Sequence, residues 1–88
     1  MNRRPERQQL WHELERSLAA LVESLSAELK PKDKEILIDF IENREYGVAL
    51  EGLHLLAVEQ SIQLTLPQQQ EIQRLAQLMS IDLDQIGK

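Results

Sequence analysis

Two histidines, His12 and His54, are the first places to look for acid–base chemistry, and neither finds company. No second histidine follows four residues on, no serine nucleophile stands close by in sequence, and no ligand cluster has metal-site spacing. The chain has no cysteine, which removes thiolate nucleophiles, thiolate zinc sites and disulfides together. It also lacks a glycine-rich phosphate loop. Carboxylates are plentiful, with 15 Asp and Glu residues, but carboxylate pairs signify general acid–base catalysis only where a cleft holds them. Both histidines therefore read as structural or solvated. The expectation is no catalytic residue, no cofactor and no metal, hence not an enzyme.

A different arrangement stands out. Glu35, Asp39 and Glu42 fall at i, i+4 and i+7, which aligns them on one face of a helix. Like charges at that spacing oppose one another by a few tenths of a kcal/mol, and no lysine or arginine is expected within the row. Glu45 follows at the next joint, where an acid also suits the start of a helix. The row is either a plain solvated face or an acidic recognition stripe for a basic protein, since such stripes speed encounter and select partners. Glu51 is a second oddity among Val48, Leu55 and Val58. It marks either the solvent edge of that apolar face or a charge ringed by hydrophobic anchors in an interface. Candidate partner-binding residues are thus Glu35, Asp39, Glu42, Glu45 and Glu51.

These residues need helices to hold them. Residues 45–60 form the segment around which the others are organised. Tyr46, Ala49, Leu50, Leu53, Leu56 and Ala57 share one face, while Val48, Leu55 and Val58 make the opposite side apolar too. A helix apolar nearly all round needs neighbours on more than one face. Gly47 and Gly52 each cost about 1 kcal/mol in a helix interior, and close approach of another helix backbone is a reason to keep them.

A first helix over residues 5–29 places Leu10, Trp11, Leu14, Leu18, Leu21, Val22, Leu25 and Leu29 on one face, with Pro5 in its first turn. The spacing 11, 14, 18, 21, 25 also matches a coiled-coil seam, though for only about two heptads. The basic start at Arg3, Arg4 and Arg7 reads as a frayed helix end. Lys30-Pro31-Lys32 breaks the chain, and Asp33 then caps a second helix to about Asn43. Its apolar side is Ile36, Leu37, Phe40 and Ile41, with Ile38 toward the edge. After Gln60, Ile62 and Leu64 tuck into the core. Thr65, Pro67 and Gln68 have the pattern of a capping box with proline in the first turn. The fourth helix runs to about Met79 and buries Ile72, Leu75, Ala76 and Met79. The tail packs through Ile81 and Leu83.

Composition agrees with that outline. The chain has 88 residues, enough for one domain and too few for two. It is 42% hydrophobic and only 3% aromatic, with 3 Gly and 3 Pro, which favours helices over a β-sandwich. The fold class is all-α: one domain over residues 1–88, a bundle of about four helices with a central, nearly all-round apolar helix. A formal net charge of -5 argues against general nucleic-acid binding, which needs a cationic footprint. No apolar run approaches a membrane span, and no h-region follows the basic start, so no signal peptide is read there. The expected location is the cytoplasm.

Between residues 45 and 81 the pattern Glu45-Tyr46-Gly47, Ala49-Leu50-Glu51, Leu53, Leu64-Thr65, Leu75-Ala76 and Met79 resembles the small helical immunity proteins of bacterial toxin–immunity systems. The likeness is to the group associated with Maf-type and contact-dependent growth-inhibition toxins. The resemblance implies a cytosolic protein that binds and blocks the cognate toxin's C-terminal domain and has no chemistry of its own. Such toxins are frequently basic nucleases, which suits the acidic balance. Size, charge and helix count are also similar to colicin-nuclease immunity proteins, but their tyrosine pair is missing, since only Tyr46 is present. The alternative function is an adaptor or assembly subunit dimerising through the first helix. A monomer is expected when free, because the central helix needs that seam as cover.

Overall fold

The computed structural model describes residues 4–83, with side chains from residue 9 onward. Four helices follow one another: α1 (Arg4–Ser24), α2 (Pro31–Glu42), α3 (Tyr46–Glu59) and α4 (Leu66–Leu78). Among the described residues there is no strand, so the chain is an all-α bundle. Lys34 reaches Glu23 while Arg44 reaches Trp11, so α2 runs antiparallel to α1. Tyr46 meets Glu15 and Gln68 meets Ser24, so α3 runs back with α1 and α4 against it.

The core is almost purely aliphatic. Leu14, Leu18, Leu21 and Val22 of α1 meet Leu37 and Ile41 of α2, Leu50 and Leu53 of α3, and Ile72 and Leu75 of α4. Like α1, α3 packs against all three other helices. Its outward strip nevertheless stays open: Val48 is 44% and Val58 59% exposed, with Leu55 half-buried. Three neighbours cover three sides of a helix, and among the described residues none covers the fourth. The glycines also differ from expectation. A Cβ on Gly52 would meet a Leu37 methyl at 3.4 Å, and one on Gly47 an Ile81 methyl at 3.4 Å. Their near neighbours are flexible side-chain tips rather than a second backbone.

α1 ends five residues earlier than its apolar stripe, at Ser24 rather than 29. The Ser24 hydroxyl donates to the Leu21 carbonyl at 2.6 Å, a local bond that competes with the helical ladder. From there the chain turns tightly, with Leu25 N–H donating to Val22 O at 3.0 Å and Ser26 N–H to Glu23 O at 3.1 Å. Leu25 and Leu29 are buried all the same. α2 starts two residues before the expected Asp33 cap, because Pro31 suits the first helical position and holds Lys30 extended as the N-cap. Asp33 sits in the first turn and accepts from Gln60 Nε2 at 3.1 Å. Only Leu37 and Ile41 of α2 are fully buried, while Ile36, assigned to the core side by its spacing, is 46% exposed.

α4 begins as its residues imply. Thr65 accepts from Gln68 N–H at 3.2 Å and the Gln68 side chain accepts from Thr65 N–H at 2.9 Å. Ile62 and Leu64 pack on the core, as do Ile81 and the buried Leu83 of the tail. Arg3 lies outside the described residues, as do the side chains of Arg4 and Arg7.

α2, α3 and α4 all end in the same way. Arg44, Ser61 and Ser80 adopt left-handed backbone (φ 63, 53 and 57). Each donates its N–H three residues back, and the following residue donates five back, as in Glu45 N–H to Phe40 O at 2.8 Å. This is the Schellman closure, which more commonly uses glycine at the left-handed position.

Candidate functional site

The acidic row depends on how α2 is seated. Leu37 and Ile41 anchor its inner side, which turns Glu35, Asp39 and Glu42 outward, all three exposed. They border one shallow groove together with Pro31, Ile36 and Ile38. Ile36 and Ile38 lie on opposite flanks of the row, so the acids have apolar ground on either side. Lys34 also borders the groove, but its ammonium is committed to Glu23 of α1 at 3.0 Å. That pairing, by hydrogen bond and charge, holds the Glu23 carboxyl below its ordinary value. Lys32 lies one turn before Glu35 and borders the same groove. The row is therefore not free of cations at its N-terminal end, contrary to the sequence reading, while Asp39 and Glu42 are. Among the described residues no side-chain partner contacts the carboxylates of Glu35, Asp39 or Glu42.

Glu45 and Glu51 stand apart. Glu45 is the exposed N-cap of α3, makes no side-chain cap bond, and lies beyond the groove at the α2–α3 joint. Glu51 is half-buried on the outward strip of α3, on the same helix face as Val48, Leu55 and Val58. The structure thus brings together three of the five candidates. His12 is exposed and His54 half-buried. No cluster of three or more His, Cys, Asp or Glu side chains placed to hold a metal occurs among the described residues.

Two polar clusters escape sequence reasoning. In one, Arg74 of α4 makes a bidentate pair with Glu71 (Nε and Nη2, both 2.9 Å) and reaches α1 through Glu13 at 2.7 Å and Ser17 at 3.2 Å. Hydrogen bonding to these acids raises the Arg74 pKa and lowers that of Glu71. The i, i+3 spacing of Glu71 and Arg74 is a visible signal for half of it. In the other, Tyr46 donates to Glu15 at 3.1 Å, and Arg44 lies over the Trp11 ring at 5.8 Å. Burial, followed by the Glu15 carboxylate, pushes the Tyr46 hydroxyl up from its ordinary value. These partners are about thirty residues apart, and no local pattern announces them.

No helix among the described residues is long and apolar enough to cross a membrane. No protein-family model matches the chain, and neither a curated protein nor a solved structure matches it significantly.

Proposed function

We propose that this chain is an immunity protein of a bacterial toxin–immunity system, acting in the cytoplasm by binding a basic toxin domain and blocking it. The observation that carries the reading is the outward row of Glu35, Asp39 and Glu42, exposed and without structural partners. Exposed like charges weaken a fold slightly, so an unpaired row suits a surface used for recognition. Isoleucines flanking the row add the apolar contact that a purely electrostatic encounter lacks. The net charge of -5 steers the whole molecule toward a cationic partner. The family resemblance of residues 45–81 points the same way.

The adaptor reading receives no comparable support. Of its dimer seam, Trp11, Leu14, Leu18, Leu21 and Leu25, all but Trp11 are at most 5% exposed inside the bundle. Dimerising through it would require opening the core, which favours a free monomer.

The test begins with the gene beside this one. Its product's C-terminal domain is co-expressed with the chain, and association is measured across a range of salt. Asp39→Lys/Glu42→Lys should slow association and flatten its salt dependence, because such contacts act on encounter and are screened. Folding should be nearly untouched, since exposed carboxylates contribute little. Association unchanged from low to high salt would remove α2 from the interface and redirect attention to Val48, Glu51, Leu55 and Val58.

A further inference from the structure

The bundle leaves one row of α3 unused. Val48, Glu51, Leu55 and Val58 follow one another on its outer face at steps of three, four and three, the spacing of a coiled-coil seam. Val48 is 44% and Val58 59% exposed. Neither they nor Leu55 belong to the core or pack against it among the described residues. The opposite face of the same helix buries Ala49, Leu50, Leu53 and Ala57. α3 thus has two apolar faces, and packing within the chain takes one. A single exposed valine is ordinary. Three apolar residues aligned at helical spacing over about 15 Å are the anchors by which one helix docks on another.

Glu51 restricts what can dock there. It stands inside the row, half-buried, and its carboxylate has no hydrogen-bond or ion-pair partner among the described residues. His54, three residues on, makes no ion pair with it either. A purely apolar cover would strip water from that carboxylate and give nothing back, at a large cost. The covering surface must therefore bring a cation. α3 cannot supply it, because Tyr46–Glu59 contains no lysine or arginine. A second copy laid along the row would set Glu51 and Glu59 against the same two acids. Charge complementarity selects a cationic partner and works against self-pairing. One polar position in an apolar seam also fixes the register of the helix that covers it.

We propose that the outer face of α3 is a docking site for an amphipathic helix of a partner protein. Its apolar residues lie on Val48, Leu55 and Val58, and a lysine or arginine among them pairs with Glu51. The row stands on a different helix from the acids of α2, and the proposal does not rest on the toxin reading.

The test uses the full chain and a phage-displayed library of helical peptides randomised along one face. Selected peptides should carry apolar residues at three- and four-residue spacing with a lysine or arginine among them. Followed by NMR, such a peptide should shift the Val48, Leu55 and Val58 methyl resonances saturably. Replacing its basic residue by glutamine should weaken binding to the unaltered chain about fivefold or more, and Glu51→Gln should do the same. The first of these comparisons needs no variant to fold. Asp39→Lys/Glu42→Lys should change binding less than about twofold at physiological salt, where distant charges are screened. Selection of peptides without a basic residue, or binding undiminished by either glutamine replacement, would overturn the proposal. So would a larger loss in Asp39→Lys/Glu42→Lys than in Glu51→Gln, which would place the peptide on α2, or a library that yields no saturable binder. Methyl shifts that follow protein concentration without peptide would also overturn it, giving the face to a second copy.

Discussion

Gly52→Ala separates two accounts of why α3 keeps a glycine at its middle. If another helix backbone needed the space, a methyl group would be destabilising. In the structure the nearest atom to a Cβ built there is the Leu37 Cδ2 methyl at 3.4 Å, an ordinary contact with the free end of a rotatable side chain. Leu37 is itself only 1% exposed, so its adjustment is limited to a small tilt, at little cost. Against that stands the propensity difference between glycine and alanine in a helix interior, about 0.8–1 kcal/mol, much of it from restricting the unfolded chain. The net expectation is stabilisation by about 0.5–1 kcal/mol. For a domain of this size each kcal/mol moves Tm by roughly 4–8 °C, so a rise of about 2–8 °C should accompany it. Urea unfolding followed by helix circular dichroism measures the change, with an unaltered m-value as the sign that stability moved while the surface exposed on unfolding did not. Destabilisation of more than about 0.5 kcal/mol would show that α2 and α3 pack too tightly at Leu37 for this argument.

Leu53 is fully buried (0% exposed) at the centre of α3, and Leu53→Ala should cost about 2–5 kcal/mol, a large share of a domain's roughly 5–15 kcal/mol. A cost under about 0.5 kcal/mol in denaturant titration would remove α3 from the centre of the core. Ser80 holds a left-handed backbone at φ 57, so Ser80→Gly should raise the urea midpoint, by about 0.5–1 kcal/mol in stability, and a lower midpoint would contradict the Schellman assignment. Glu23 and Glu71 are held below their ordinary 4.5 by Lys34 and Arg74, so their contribution is present above that value and lost as pH falls through the folded-state values. Tyr46 is raised above its ordinary 10.0, so its contribution is full below 10 and lost as pH climbs through the raised value; Tyr46→Phe should remove that alkaline component, and an unchanged alkaline limb would refute it.

How much of this could be read in advance depended on the range of the interaction. The start of α4 was fully readable because Thr65, Pro67 and Gln68 act within one turn, and both capping-box bonds form. The end of α1 was not. Leu25 and Leu29 keep helical spacing and reach the core, yet burial demands only that a side chain point inward, which tight turns also achieve. Ile36 shows the limit of periodicity: it lies about 100° around the helix from Leu37, and α2 is covered over an arc narrow enough to bury Leu37 and Ile41 alone. For the site, the i, i+4, i+7 spacing of Glu35, Asp39 and Glu42 placed them together correctly. It missed Lys32 at the end of the row and the engagement of Lys34 by Glu23. The Arg44–Trp11 contact arises from chain reversal between helices, which no local pattern encodes.

The acids themselves divide into those the fold uses and those it leaves. A core made mostly of leucine buries area without fixing register closely, since leucines substitute for one another in packing. Polar clips supply part of that register: Lys34 with Glu23 between α2 and α1, Tyr46 with Glu15 between α3 and α1, Gln60 with Asp33 between α3 and α2, and Arg74 with Glu13 between α4 and α1. Glu13, Glu15, Glu23, Asp33 and Glu71 are accounted for in this way. Glu28, Glu35, Asp39, Glu42, Glu45, Glu51 and Glu59 have no such partner among the described residues. Four of those seven fall between residues 35 and 45, on α2 and the joint that follows it. Charge needed only for solubility would serve equally well spread over the outer faces, yet the outer face of α4 carries mostly glutamine at Gln69, Gln70, Gln73 and Gln77. Concentration of unused charge on one helix, with the outer face of another left mostly to glutamine, fits the proposed surface for a basic partner.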